Sequence, residues 1–217
     1  METGQPYPYE LLSDPAELAR LGFWSPAVYH DFLALESGAM NEAEFKARYG
    51  TTAAIMCLDM TKFTKTAIER GEIFALLRIL DVQKVVTPVL RKHQARHIRV
   101  FADDFTAIFD NPHAALDAAF EIHHRIRVFN ASAQGHSESA ECCIGIGYGE
   151  VLAIGIDQAM GDEMNRASKL GEDTADAGET LVTERVYNVI KDRSDCEVRR
   201  RMHEELPFPF YQVLYRQ

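Results

Sequence analysis

The chain has 217 residues, 47% of them hydrophobic and 26% charged, which fits one globular domain with a modest extension. Its formal net charge of -10 argues against binding to a nucleic acid polymer, although a small anion can bind where a metal ion or a basic cluster neutralises it. The first residues lack the features of a signal peptide, and no apolar run is long enough to span a membrane, so we expect a cytoplasmic protein without membrane contact.

The first 50 residues are predicted to form a short helical arm. The segments "DPAELARLG", "SPAVYHDFLALESG" and "NEAEFKARYG" each have a helical composition and end in glycine. Together they are too small for an independent domain. We therefore expect residues 1–50 to pack on the main body or on a partner, and residues 51–217 to form the main domain.

The main domain begins with the apolar segment "TTAAIMCLDM", a predicted strand that ends at Asp59. A long helix is predicted to follow over about residues 65–94, with a kink at Pro88. Four large aliphatic residues are expected on its buried face, and valines continue the stripe. These four residues are Ile73, Leu76, Leu77 and Leu80.

The stretch "IRVFADDFTAIF" predicts a hairpin, with strands at about 97–102 and 104–109 and two aspartates at its tip. A second helix follows in "NPHAALDAAFEIHHRIRVFNAS", with Asn111 as its N-cap. "ECCIGIGYGEVLAIGI" indicates a glycine-rich pair of strands, and "GDEMNRASKLGEDTADAG" a third helix. The remaining chain predicts a strand, a helix and two closing strands.

The four cysteines form no C-x-x-C pair, so a zinc site of that type is not expected. The adjacent Cys142 and Cys143 would point to opposite faces of a strand. We expect all four to be reduced structural thiols.

The element order β-α-β-β-α-β is that of the ferredoxin-like split βαβ topology, an α+β fold with one antiparallel sheet and helices on one face. Its first strand pairs with its third, so Asp59 and Asp103 can lie close together. Facing carboxylates repel each other, and a hard divalent cation such as Mg²⁺ or Mn²⁺ relieves the repulsion. Solvation of a tight turn is the competing interpretation of the aspartate pair, and Asp104 is expected either to solvate that turn or to support the metal ligands without binding the ion.

Four motifs in order resemble those of the class III nucleotidyl cyclases, the catalytic domains of adenylate and guanylate cyclases. "LDMTKFT" resembles the family's Asp, two variable residues and Gly-Phe-Thr, with lysine replacing the glycine. "RVFADDF" resembles the Lys-x-x-Gly-Asp turn, which selects Asp103 rather than Asp104. "GIGYGEVLAIGI" resembles the glycine-rich strands, and "MGDEMNRASKL" the Gly-x-x-x-Asn-x-x-x-Arg helix. The resemblance covers about residues 52–215.

The resemblance implies an enzyme that converts a nucleoside triphosphate to its 3′,5′-cyclic monophosphate and pyrophosphate. Asp59 and Asp103 would hold two Mn²⁺ or Mg²⁺ ions, with the carbonyl of Met60 as a candidate further ligand. Asn165 would orient the ribose. Lys169, where the family has arginine, would stabilise charge on the α-phosphate.

The family builds its site between two chains, with the metal-binding acids from one and the asparagine and the basic residue from the other. This chain carries both sets, so the resemblance implies a symmetric homodimer with two shared sites. The family's lysine for the distal phosphates has no clear match, and three arginines near the final strands are its candidate substitutes. They are Arg199, Arg200 and Arg201.

The residues aligned with the base-reading positions are Arg99 and Gln158, which fit neither the adenylate nor the guanylate cyclase pattern. Arginine only donates hydrogen bonds, whereas glutamine donates and accepts. Uracil would accept from Arg99 at O4 and donate from N3 to Gln158, guanine remains an alternative, and adenine fits least well. Phe63 aligns with an aromatic residue near the nucleotide, although a core role explains it more simply.

The short chain also resembles the bacterial pyrimidine cyclases of antiphage defence, whose products cUMP or cCMP activate a separate effector. We therefore predict a pyrimidine cyclase, with UTP favoured over CTP. An adenylate or guanylate cyclase and a non-catalytic nucleotide-binding relative remain the alternatives.

Overall fold

The computed structural model divides into two compact units, with the boundary between residues 50 and 51. The structure describes residues 8–22, 24–61, 63–132, 139–154, 159–204 and 206–216. Among these residues, no helix combines the length and the apolar composition needed to cross a membrane.

The first unit contains the three helices that the sequence predicts: α1 (Pro15–Leu21), α2 (Pro26–Glu36) and α3 (Glu42–Tyr49). Each begins with a polar side chain that accepts a hydrogen bond from a free backbone N–H group of the first turn. At α3 the cap is reciprocal, because Asn41 accepts from the backbone of Glu44 and the Glu44 carboxylate accepts from the backbone of Asn41.

The second unit is built from one eight-stranded sheet and five helices among the described residues. Its strands are β1 (Gly50–Met60), β2 (His97–Phe101), β3 (Asp104–Phe109), β4 (Cys142–Ala153), β5 (Ala159–Met160), β6 (Thr180–Thr183), β7 (Cys196–Arg201) and β8 (Phe210–Tyr215). Its helices are α4 (Phe63–Arg70), α5 (Glu72–Lys92), α6 (Pro112–Asn130), α7 (Asp162–Ser168) and α8 (Glu184–Ile190). A π-helix (Lys169–Thr174) continues α7 directly.

The strand order is β2-β3-β1-β4-β6-β8-β7, with β5 paired to β4. The predicted antiparallel pairing of β1 with β3 is confirmed, and so is the split βαβ core. The sheet is not purely antiparallel, however, because β4 and β6 run parallel. The crossover through α7 and the π-helix returns the chain to the same end of the sheet and so makes these two strands parallel.

Helices cover both faces of the sheet rather than one. On one face, α5, α6 and α8 enclose the main core, which includes Met56, Phe109 and Ile146. On the other face, α7 and the π-helix pack on β4. This close packing depends on glycine, because a Cβ atom at Gly145 would lie 2.1 Å from the carbonyl oxygen of Ala167. The glycine-rich motif thus serves helix-to-strand packing.

The predicted long helix is interrupted at Gly71, whose φ of +90° separates α4 from α5. The expectation that Ile73, Leu76, Leu77 and Leu80 form its buried face is wrong, since these four side chains are exposed. The buried face instead begins with Ala75 and Ile79, and it continues with Val82, Val86 and Val89, three valines of the predicted stripe. Both sets follow helical spacing, but only the second extends along the whole of α5.

The four cysteines are free and buried. As expected, the neighbours Cys142 and Cys143 face opposite sides of β4. Cys142 lies in the main core, while Cys143 donates a hydrogen bond to the backbone carbonyl of Asp59. Burial raises the pKa of the Cys143 thiol to about 12, so it stays protonated at neutral pH.

Candidate active site

Strand register brings three carboxylates together at one end of the sheet. In the β1–β3 ladder Leu58 pairs with Phe105, so the next position outward sets Asp59 opposite Asp104. Side chains alternate along a strand, and Asp59 therefore faces the α7 side, as Cys57 does. Asp104 opens β3, which agrees with the predicted strand bounds of 104–109 and excludes the turn, one of the two roles suggested for this residue.

The hairpin turn supplies the third carboxylate. Phe101 pairs with Asp104, which leaves only Ala102 and Asp103 in the turn. Ala102 has a φ of +52°, in the left-handed region that glycine adopts most easily. This is the position where the resembled motif has glycine. The tight turn holds Asp103 at the tip, beside the end of β1.

The carboxylate oxygens of Asp59, Asp103 and Asp104 all lie within 4.8 Å of one another. Partial burial raises the pKa of Asp59 to about 7, and the charges of Asp103 and Asp104 add to the rise. The pKa of Asp104 is also raised, first by burial and then by Asp103, although the positive charge of Arg99 opposes this. The three groups therefore repel one another.

The donor set fits a hard divalent cation. Three half-buried carboxylates that share one small volume offer oxygen ligands, and a cation between them would relieve their repulsion. The backbone N–H of Met60 donates to the Asp59 carboxylate and lowers its pKa slightly against the larger upward effects. Asp59 and Asp103 were predicted as metal ligands from the sequence, whereas Asp104 was not.

A fourth carboxylate approaches this cluster from the π-helix. Gly171 lies directly on β1, where a Cβ atom would be 2.5 Å from the carbonyl oxygen of Cys57. The next residue, Glu172, has a raised pKa, first because of partial burial and further because of the charge of Asp104. Sequence reasoning missed Glu172, since nothing in the local pattern distinguishes a π-helix from an α-helix.

Asn165 and Lys169 lie on the exposed surface of α7 and the π-helix, one helical turn apart. The ammonium group of Lys169 contacts the carboxylate of Asp173 at 2.6 Å. Neither residue belongs to the three-aspartate cluster. Their exposure leaves both side chains open to a second chain.

The predicted base-reading and aromatic residues have different surroundings. Arg99 lies on the same face of the hairpin as Asp104, and its guanidinium carbon is 5.6 Å from the ring centre of Phe101. Phe63 begins α4 and packs against the main core, which is the simpler role the sequence suggested. The prediction for Gln158 concerns a position outside the described residues.

The three arginines suggested for the distal phosphates lie on β7, at the edge of the sheet opposite β2. Arg199 contacts Glu197 at 2.7 Å, and Arg201 contacts Gln212 at 3.0 Å. Four strand spacings, roughly 19 Å, separate β7 from β1. These arginines are therefore too far away to serve the aspartates of their own chain.

Comparisons with known proteins support a common fold. Residues 46–208 match the sequence model of the adenylate and guanylate cyclase catalytic domain. The adenylyl cyclase CyaB from P. aeruginosa superimposes with a TM-score of 0.67 at 21% identity, over 77% of this chain and 96% of that one. A search of curated proteins found no match.

Two further solved structures are similar. The monomeric guanylyl cyclase domain of the RhoGC fusion protein from the fungus Blastocladiella emersonii has a TM-score of 0.65 at 21% identity, covering 78% of this chain and 99% of that one. An adenylate/guanylate cyclase/hydrolase from Silicibacter pomeroyi has a TM-score of 0.62 at 24% identity, covering 76% and 96%. These similar structures include an adenylyl cyclase, a guanylyl cyclase and a protein named for both activities.

Proposed function

Because the chain belongs to the family of adenylate and guanylate cyclase catalytic domains, we propose that it cyclises a nucleoside triphosphate at the three-aspartate cluster. The ribose 3′-hydroxyl gives up its proton to solvent and its oxygen bonds to the α-phosphorus, while the bond from the α-phosphorus to the α,β-bridging oxygen breaks and pyrophosphate leaves. The observation that carries this proposal is the convergence of Asp59, Asp103 and Asp104 within 4.8 Å on a fold that the family shares.

Asp59 and Asp103 are the proposed ligands of two divalent ions, Mn²⁺ or Mg²⁺, and Asp104 is close enough to join them. When bound, such ions would lower the pKa of the ribose 3′-hydroxyl and neutralise the phosphate oxygens. The carbonyl of Met60 remains a candidate ligand, since this residue directly follows Asp59.

The remaining catalytic groups are proposed to come from a second copy of the chain. Asn165 would hold the ribose, and Lys169 would stabilise negative charge that develops on the α-phosphate. Both side chains are exposed in one chain, as an intermolecular site requires. Lys169 must leave Asp173 to reach a phosphate, but an exposed pair of this kind is weak.

For the base, we propose a pyrimidine, with UTP favoured over CTP. Arg99 can only donate hydrogen bonds, so it favours a carbonyl such as uracil O4 over the amino group of cytosine or adenine. Its position over the Phe101 ring limits its freedom and would orient the guanidinium. We further propose that the cyclic product is a second messenger read by a separate effector, as in antiphage defence.

The test is to incubate the purified chain with Mn²⁺ and, separately, ATP, GTP, CTP and UTP, and to identify cyclic products by mass spectrometry. We expect cUMP as the main product, and its loss in Asp59→Ala/Asp103→Ala. Asp192→Ala, at an exposed position outside the cluster, is the matched control. cAMP or cGMP as the main product would contradict the base assignment. The absence of any product would contradict the cyclase activity itself.

A further inference from the structure

A cavity of about 380 Å³ lies beside the turn that joins β1 to α4. Met60 and Phe63, which flank this turn, form part of its wall. Its charged lining residues are Lys65, Glu69, Arg78 and Glu141. This volume is at the lower end of the range for small-ligand pockets and is sufficient for a phosphate or pyrophosphate group.

Arg78 is the unusual member of the lining. It extends from the inner face of α5 and is only 4% exposed. Its Nη1 atom makes one long contact to the Asp81 carboxylate, at 3.5 Å. Its Nη2 atom is buried and has no hydrogen-bond partner within the part of the chain that the structure describes.

One nitrogen of the Arg78 guanidinium, Nη2, therefore lacks an acceptor among the described residues. Arginine presents five N–H donors and stays charged in proteins, so a buried and poorly paired guanidinium is destabilising. The Asp81 carboxylate already pairs with this charge, and a guest oxyanion with several acceptor oxygens would satisfy Nη2 as well. Bidentate contact with a phosphate group matches the geometry of the guanidinium.

Besides Arg78, the charged lining consists of one cation, Lys65, and two carboxylates, Glu69 and Glu141, so an anion would bind through Arg78 and Lys65. Lys65 is exposed and contacts Glu69 at 3.7 Å, so both can rearrange at low cost. Glu141 receives hydrogen bonds from Thr61 through its backbone carbonyl. Arg78 is the buried charge among the four, and solvent screens its field least.

We propose that this cavity is an oxyanion site for a phosphate group, with Arg78 as its buried ligand and Lys65 as its second cation. The occupant that we assign is pyrophosphate or the distal phosphates of the nucleotide, an assignment that rests on the proposed cyclase function. Free inorganic phosphate offers the same chemistry and is the alternative source. If the occupant belongs to the nucleotide, the site would supply a distal-phosphate ligand from the same chain, a role for which the arginines of β7 are too far away.

The test is isothermal titration calorimetry of the full chain in EDTA, with pyrophosphate and with inorganic phosphate. We expect saturable binding of pyrophosphate without any metal. Tighter binding of pyrophosphate than of phosphate supports the nucleotide source, and equal affinities support free phosphate as the occupant. No saturable binding of either anion would overturn the proposal.

Three variants test which side chains bind pyrophosphate. Arg78→Gln removes the guanidinium group, and we expect about 10-fold to 100-fold weaker binding of pyrophosphate. Lys65→Gln changes an exposed residue without threatening the fold, and we expect about twofold to fivefold weaker binding. Lys191→Gln is exposed, lies outside the cavity and serves as the control. Unchanged binding in both Lys65→Gln and a folded Arg78→Gln would overturn the proposal.

Two further measurements complete the test. One distinguishes anion binding by the cavity residues from a purely structural role, and the other tests the site independently of the cyclase activity. The rise in Tm that pyrophosphate causes is expected to shrink in Lys65→Gln, whereas a purely structural role would leave that rise unchanged. Asp59→Asn/Asp103→Asn, which disables the proposed metal site, is expected to keep metal-free pyrophosphate binding. Binding that persists in this inactive variant supports the oxyanion site independently of turnover, and binding that disappears contradicts it.

Discussion

Ala102 shows how one residue can fix the geometry of the candidate site. A left-handed conformation costs a residue with a Cβ atom about 1–2 kcal/mol, and Ala102 adopts it at a φ of +52°. We expect Ala102→Gly to raise the free energy of unfolding by about 0.5–1 kcal/mol, since the greater entropy of unfolded glycine offsets part of the relief. Urea denaturation measures this change.

The matched control for this prediction is Ala114→Gly, in the first turns of α6. Glycine at position 114 is expected to lower the free energy of unfolding by up to about 1 kcal/mol, because the backbone there already has ordinary helical angles. Equal destabilisation by the two substitutions would show that the turn is not strained in solution.

His123 is a buried residue with a stability effect that depends on pH. Its ring nitrogens contact Thr180 at 3.0 Å and the Cys142 sulfur at 3.8 Å. Burial lowers the pKa of His123 to about 4, with the charge of Arg127 adding to the effect. The folded imidazole is therefore neutral at pH 5, whereas an unfolded one, with a pKa of about 6.5, is mostly protonated.

Because the unfolded state binds this proton first, the contribution of His123 is fully present above about pH 6.5 and is lost as pH falls toward 4. We expect the stability difference between the wild type and His123→Asn to change by about 2 kcal/mol between pH 7 and pH 5, in favour of the variant. Urea unfolding at both pH values measures it, with the exposed His124→Asn as control. The same difference at both pH values would contradict the assignment.

Among the elements, the contact between β4 and α7 should be the least tolerant of change. A Cβ atom at Gly145 meets backbone on both nearby segments, 2.1 Å from the Ala167 oxygen and 2.4 Å from the Gly171 nitrogen. Backbone cannot move aside as a side chain can. We therefore expect Gly145→Ala to lower the free energy of unfolding by at least about 2 kcal/mol.

Gly149→Ala is the comparison for Gly145→Ala in the same strand. The atom nearest to a Cβ atom at Gly149 is at the flexible end of the Arg185 side chain, 2.6 Å away. We therefore expect the free energy of unfolding to fall by less than about 1 kcal/mol. Equal losses in the two variants, measured by denaturant unfolding, would argue against tight packing of α7 on β4.

Element order and strand pairing were predictable because they follow from hydrophobic periodicity and a common topology. The proximity of Asp59 and Asp103 followed from that pairing. The role of Asp104 did not, since it depends on the register of β1 against β3, which sequence spacing leaves undetermined. The approach of Glu172 depends on a π-helix, whose hydrogen bonds have no distinct sequence pattern.

The buried face of α5 shows why local periodicity can mislead. Two sets of apolar residues satisfy helical spacing on this helix, and the larger side chains favoured the wrong set. The buried face carries Ala75 and Ile79 in place of the four larger residues, and only the valines further along the helix were placed on the correct face. Only the three-dimensional arrangement of neighbouring elements distinguishes the two faces.

For the whole molecule, the separation of functional groups leads to a test of the shared site. The three aspartates cluster within one chain, while Asn165 and Lys169 are exposed on its surface. If the acids of one chain act with the asparagine of its partner, two different inactive variants can restore each other. The Asp59→Asn chain retains Asn165, and the Asn165→Ala chain retains all three aspartates.

When subunits exchange at random between equal amounts of these two variants, half of the dimers are heterodimers. Each heterodimer has one of its two sites intact. We therefore expect the mixture to regain about a quarter of the wild-type rate of cyclic nucleotide formation, while each variant alone stays inactive. The control mixes Asp59→Asn with Asp103→Asn, which damage the same half-site and cannot restore each other. A mixture of Asp59→Asn and Asn165→Ala that stays inactive, although subunit exchange is verified by mass spectrometry, would show that each site is confined to one chain.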